Sequence, residues 1–189
     1  LLSQNGNVKN TAIGALAGQT IDDGDRNTLV GYLAGGDIAG GDDNVCVGDM
    51  AMVNATGSSN TVIGSGAGSS NQNATATQFS GSYNVLAGYS AGNDLTTGFS
   101  NVMVGMNAGF NATTANRNII IGHDACGLGV LANATGAQGK YNVVIGNDAG
   151  HDLDTGNSNV LIGDSTGANL TNNKDNVAIG AFALDAANA

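Results

Sequence analysis

The 189-residue chain carries fifteen acidic residues against five basic ones, for a net charge of −10, and has 31 glycines with no proline or tryptophan. Glycine without a three-residue period or proline excludes collagen, and a 41% hydrophobic content excludes a disordered chain. So acidic a chain is a poor match for phosphate backbones, which excludes nucleic acid as the main partner, and no apolar run reaches the roughly 20 residues of a membrane-spanning helix.

In chain order, a five-residue unit of Asn, three apolar or Thr residues and Gly begins at Asn10. It returns at Asn27, Asn44, Asn60, Asn84, Asn101, Asn118, Asn142, Asn159 and Asn176. The intervals are 17 residues except for one of 16 and two of 24, and the long ones hold insertions over 69–83 and 127–141. Ala stands three residues after the unit's Gly in every copy but one, where Thr166 replaces it. Each triplet, such as Ile119-Ile120-Ile121, is rich in β-branched residues and predicts a short strand. The following Gly predicts a corner, and stretches such as Asn93-Asp94-Leu95-Thr96-Thr97-Gly98 supply turn formers. The period therefore predicts an all-β chain over 1–189: a parallel β-solenoid of about ten 17-residue coils. Equivalent residues of successive coils stack roughly 4.8 Å apart, which aligns the ten asparagines into an amide ladder.

The triplets are apolar at their middle positions and largely at their flanking ones too. A strand alternates its faces, so one set fills the coil and the other needs a cover. A second copy of the chain is the simplest cover; a cross-section with two internal layers is the alternative.

All fifteen acids are Asp. Asp shapes turns through its own backbone, whereas Glu favours helices, so the acids read first as turn chemistry. Asp22-Asp23-Gly24-Asp25 and Asp42-Asp43 also offer clustered oxygens for Ca²⁺, but they follow neither the EF-hand loop nor the nonapeptide calcium repeat. No other cofactor and no metal ligand set is expected. His123 and His151 occupy different places in the repeat and read as solvated surface residues. Cys46 and Cys126 stand in different columns four coils apart, about 19 Å at the usual strand spacing, too far for a disulfide. The Asn-x-Thr sites at Asn54, Asn73, Asn111, Asn133 and Asn169 are explained by turn composition.

Lys9, Arg26 and Arg117 directly precede a ladder Asn, and Lys140 and Lys174 lie two before one, so all five cations line one edge. Arg26 and Asp43 share a repeat position in adjacent coils and are expected to pair. The insertions contribute Phe79, Tyr83, Lys140 and Tyr141, the richest aromatic and basic cluster outside the coils. Loops on a rigid scaffold often carry recognition, so these four are the candidate receptor-binding residues.

Units such as Asn101-Val102-Met103-Val104-Gly105-Met106-Asn107-Ala108-Gly109 resemble the Asn-Thr-Ala-Ile-Gly-x-x-Ala-Gly repeats of phage tail fibres. More loosely, they are similar to the head repeats of trimeric autotransporter adhesins, whose units are shorter. The resemblance covers about residues 5–185 and implies a homotrimeric shaft on a virion or at the cell surface. Its implied role is attachment to a host-surface glycan or protein receptor, without membrane insertion. A polysaccharide depolymerase would need paired carboxylates with one pKa raised, and the chain has no Glu and only turn-borne Asp, so no enzyme is expected. An ice-binding solenoid would need a flat Thr array, and the Thr residues drift between columns.

Overall fold

The structure, a computed structural model, describes residues 9–69, 78–129, 131 and 139–185. Each triplet forms a strand: β1 (Thr11–Ile13), β2 (Thr28–Val30), β3 (Val45–Val47), β4 (Thr61–Ile63) and β5 (Val85–Ala87) in the first half. The second half supplies β6 (Val102–Val104), β7 (Ile119–Ile121), β8 (Val143–Ile145), β9 (Val160–Ile162) and β10 (Val177–Ile179). They build one ten-stranded parallel sheet in sequence order, with every triplet in register with the next. The chain is a β-solenoid.

Each coil turns inward in three places. The middle residues of the strands are buried, among them Leu29, Met103, Ile120, Val144 and Leu161. The Ala column, from Ala17 to Ala149, is buried as well, with Thr166 continuing it through a 2.6 Å bond from its hydroxyl to the Gly180 carbonyl. The third inward column lies in segments that composition alone marks as turns: Ile21, Ile38, Ala55, Leu95, Ala112, Leu153 and Leu170. Phe79 joins it by a parallel bridge to Ala55.

The ladder closes the coils. The Oδ1 of each asparagine from Asn10 to Asn159 accepts the backbone N–H of the next, at 2.7–3.1 Å. The same nine donate Nδ2 across their own coil to a corner carbonyl, as Asn27 does to Gly41 at 2.8 Å and Asn142 to Gly156 at 3.0 Å. Eight are buried, and these bonds satisfy amides that burial would otherwise leave costly. The two 24-residue coils close at the same corner, through Asn60 to Gly81 and Asn118 to Gly139, which keeps the flanking strands in register.

Two backbone features set the corners. Gly31 and Gly122 have φ of 137° and 142°, and an added Cβ would stand 2.3 Å and 2.1 Å from the carbonyl oxygens of Gly48 and Gly146. From Arg26 to Asp175 the residue directly before a ladder Asn is left-handed although none is glycine, as at Arg26, Asp43, Tyr83, Arg117 and Tyr141 (φ 56° to 62°). Interstrand bonds hold this conformation; the Arg117 N–H, for example, donates to the Phe99 carbonyl at 3.0 Å.

The flanking strand residues face out. Val45, Ile63, Val85 and Ile119 are 36–45% exposed while their middle neighbours are fully buried. A single internal layer therefore fills the coil, and the outer face of the sheet stays apolar.

Candidate functional site

The left-handed residue before each ladder Asn turns its side chain out along one edge, next to the residue that precedes it. From Ser82 to Ser158 these two columns hold Tyr83, Phe99, Ser100, Asn116, Arg117, Lys140, Tyr141 and Asn157, with no acid among them. Isolated parallel bridges from Phe99 to Asn116 and from Asn116 to Lys140 hold the inner column in line. The Arg117 guanidinium lies over the Phe99 ring at 4.7 Å and over the Tyr141 ring at 5.7 Å, and the Lys140 ammonium lies 5.4 Å from the Tyr141 ring centre. Cations so placed are attracted by the ring quadrupoles and held in a preferred position. Tyr141 is half exposed, and Tyr83 stands in its column three coils away, about 14 Å at the usual strand spacing.

Of the four expected receptor-binding residues, Tyr83, Lys140 and Tyr141 lie on this edge. Phe79 does not. It is fully buried in the third inward column, where the coil needs a large apolar side chain, and it is corrected here to a core residue. Phe99 and Arg117 join the cluster instead. Phe99 was hidden from sequence reasoning because it lies in a regular coil, and Arg117 because its partners come from neighbouring coils. Residues 70–77, 130 and 132–138 of the insertions, with the sites at Asn73 and Asn133, lie outside the described residues.

The same edge differs near the N-terminal end. Arg26 donates to Asp43 through Nε at 2.6 Å and through Nη2 at 2.8 Å, with Asp25 and Asp42 at 3.4–3.5 Å. The Arg26 hydrogen bond holds the Asp43 carboxyl below the usual carboxylate range, and the same bond raises the guanidinium's own pKa. Asp25 and Asp42 are linked further, the Asp25 N–H donating to Asp42 Oδ1 at 2.7 Å. Three of the carboxylates considered for Ca²⁺ are thus engaged with a cation of the chain itself.

Each histidine, read from sequence as a solvated surface residue, has an acid beside it. His123 Nδ1 lies 3.2 Å from Asp124 Oδ2 and 3.1 Å from Asn147 Oδ1, and ligand atoms of His123, Asp124 and Asp148 fall within 4.8 Å of one another. Asp124 and Asp148 are one repeat apart in a single column, so stacking gathers them. These groups have the chemistry to take a divalent cation, but hydrogen bonding within the columns accounts for their placement; the Asn107 amide donates to Asp124 at 2.9 Å. His151 pairs with Asp152 at 2.9 Å. An open hollow of about 390 Å³ on another side is lined by Asp49, Tyr89, Asn93 and Phe110 among others. It holds a carboxylate and no cation.

Both cysteines are free and buried, and loss of solvation pushes each thiol up to about 12. No helix among the described residues is long and apolar enough to cross a membrane. Compared with protein-family models, curated proteins and solved structures, the chain finds no match in any of the three.

Proposed function

We propose that this chain is a shaft segment of an extracellular fibre or adhesin, of the phage tail-fibre kind. In this reading three copies pack through their outer sheet faces and hold the edge columns out to a host surface. The observation that carries it is the outer face itself. Of its twenty strand positions, sixteen are Val or Ile, the others being Thr11, Thr28, Thr61 and Ala87. Ten strands at the usual spacing and about 10 Å of strand length give an apolar strip of roughly 430 Å², within the range of the largest apolar patch on a soluble monomer, which is often functional. A flat strip along the whole rod suits a closed ring of like copies better than a compact partner at one point.

Parallel strands covered on both sides and a ladder of buried amides make a stiff rod. Stiffness is what presentation at a distance requires, and the variable edge columns are where specificity is placed without disturbing the coil. Light scattering tests the assembly: the full chain is expected at three times its monomer mass. Val143→Asp with Val160→Asp, both facing out, is expected to give folded monomers. Val144→Asp with Leu161→Asp, both facing in, is expected to unfold the coil. A monodisperse monomer from the unmodified chain would sink the reading.

A further inference from the structure

We infer that the acid-free stretch of the edge around Phe99, Arg117, Lys140 and Tyr141 binds a saccharide chain bearing carboxylates; this rests on the attachment role proposed above and names its receptor class.

Three observations converge on an anion. The chain has five cations against fifteen acids, yet two of the five stand in adjoining coils here, and the edge columns from Ser82 to Ser158 contain no acid. Arg26, at the equivalent position farther up, is neutralised by Asp25, Asp42 and Asp43. Arg117 has no such carboxylate among the described residues, and its contacts are rings. A guanidinium backed by aromatic faces and without a counter-ion is matched by a planar carboxylate, which accepts two parallel N–H bonds from its fork.

The rest of the chemistry selects among anions. Every other acid of the chain repels a dense polyanion, so a nucleic acid is opposed over most of the rod while a sparsely charged chain is not. Phe99 and the half-exposed Tyr141 add apolar ring surface beside the cations. A pyranose presents one apolar C–H face and, when it is a uronic or sialic acid, one carboxylate, so it uses both halves of the patch. Tyr83, about three strand spacings along the column, lies where a longer chain would run. One such contact is weak, and three copies on one rod raise it through effective concentration.

The test uses the full chain and calorimetric titration with oligogalacturonate and oligosialate, each beside its methyl ester, which keeps the sugar and removes the charge. At least one acid is expected to bind, its ester about tenfold more weakly or less, the scale of one charge-assisted hydrogen bond. Arg117→Ala should lose a similar factor, Lys140→Gln a smaller one, and Arg26→Ala nothing, with circular dichroism confirming that each variant is folded. Raising salt should weaken the acid and leave the ester unchanged. Binding of neither acid, equal binding of acid and ester, or an unaffected Arg117→Ala variant would overturn the inference. Retention of the labelled trimer on host cells is read separately. Retention together with failure of both acids removes the saccharide and keeps the fibre; failure of both, with a monomer in light scattering, removes the fibre reading too.

Discussion

Arg26 and Arg117 occupy the same column of the solenoid, with φ of 58° and 56°, each exposed and each directly before a ladder asparagine. One is ringed by Asp25, Asp42 and Asp43, the other rests on Phe99 and Tyr141. Identical backbone with opposite surroundings shows that the scaffold does not read what its edge carries. The coil is fixed by columns that cannot vary much, the ladder Asn, the corner Gly and the inward apolar residues. Edge columns are free to become an ion cluster in one stretch and an aromatic platform in another.

The largest effects should come from breaking the scaffold under each arginine. Gly31→Ala and Gly122→Ala both force a side chain into positive φ and against the next coil's carbonyl. Each is expected to cost about 3 kcal/mol or more. Denaturant unfolding measures it. If one substitution were tolerated, the two coils would not share a scaffold and the comparison would fail.

Removing a ladder amide comes next, and here the two regions should part. Asn27→Ala strands the Asn44 N–H and the Gly41 carbonyl. Asn118→Ala strands the Asn142 N–H and also removes a donor to Asn101 Oδ1, but the Asn142 amide keeps its bond to Gly156 and the Gly139 carbonyl keeps the Asn116 N–H. At about 1–3 kcal/mol for each buried group left unsatisfied, both are costly and Asn27 the more so. Equal losses would mean that the second bonds of the Asn142 amide and the Gly139 carbonyl offset nothing.

The cysteines report on the two regions separately, since Cys46 lies in the second coil after Arg26 and Cys126 in the first after Arg117. With both thiols buried and pushed up to about 12, thiolate is scarce at pH 8 and alkylation must await opening. Stacked coils contact mainly their neighbours, so opening need not be uniform. In the Gly122→Ala variant Cys126 is expected to react faster than Cys46, and in Gly31→Ala the order should reverse. Equal rates in both variants would make the rod one cooperative unit.

The scaffold was legible in the sequence because each coil repeats it. Asn10 to Asn176 mark the strands without an alignment, and a period that survives two 24-residue coils leaves one architecture. The third inward column was not legible. Leu95 and Ile38 sit among Asn, Asp, Thr and Gly, and their burial follows from where the coil bends back. The left-handed edge was hidden for a related reason. Positive φ is reserved for glycine when residues are read singly, and here stacked backbone bonds impose it on Arg, Tyr, Ser and Asp. Sequence placed Tyr83, Lys140 and Tyr141 on the outside correctly, but it grouped Phe79 with them because all four belong to the insertions. The sheet's alternation told that one triplet face fills the coil and that the other needs a cover; only the coil's curvature decided that Val144 points in and Val143 out.

The smallest expected effects concern two carboxylates whose titration the fold displaces in opposite directions. Asp43 lies below its ordinary value, chiefly through the Arg26 hydrogen bond. What that bond contributes is present above the unfolded pKa of about 3.9 and lost as the pH falls through the lower, folded value. Asp94 lies above its ordinary value because burial opposes its charge. Its ionisation therefore works against the folded state, and the associated stability is full below the unfolded pKa and lost as the pH rises through the folded one. Arg26→Ala should return the Asp43 midpoint toward the ordinary range with little change in melting temperature, because the pair is exposed and screened by water and salt. Asp94→Asn should raise the melting temperature slightly at pH 7, and the gain should vanish near pH 3, where the native carboxyl is neutral already. Carbon-detected NMR titration of the two carboxyls checks both midpoints. An Asp43 midpoint that stays low without Arg26 would assign the shift to the turn backbone, and the ion cluster would no longer distinguish that stretch of edge from the one around Arg117.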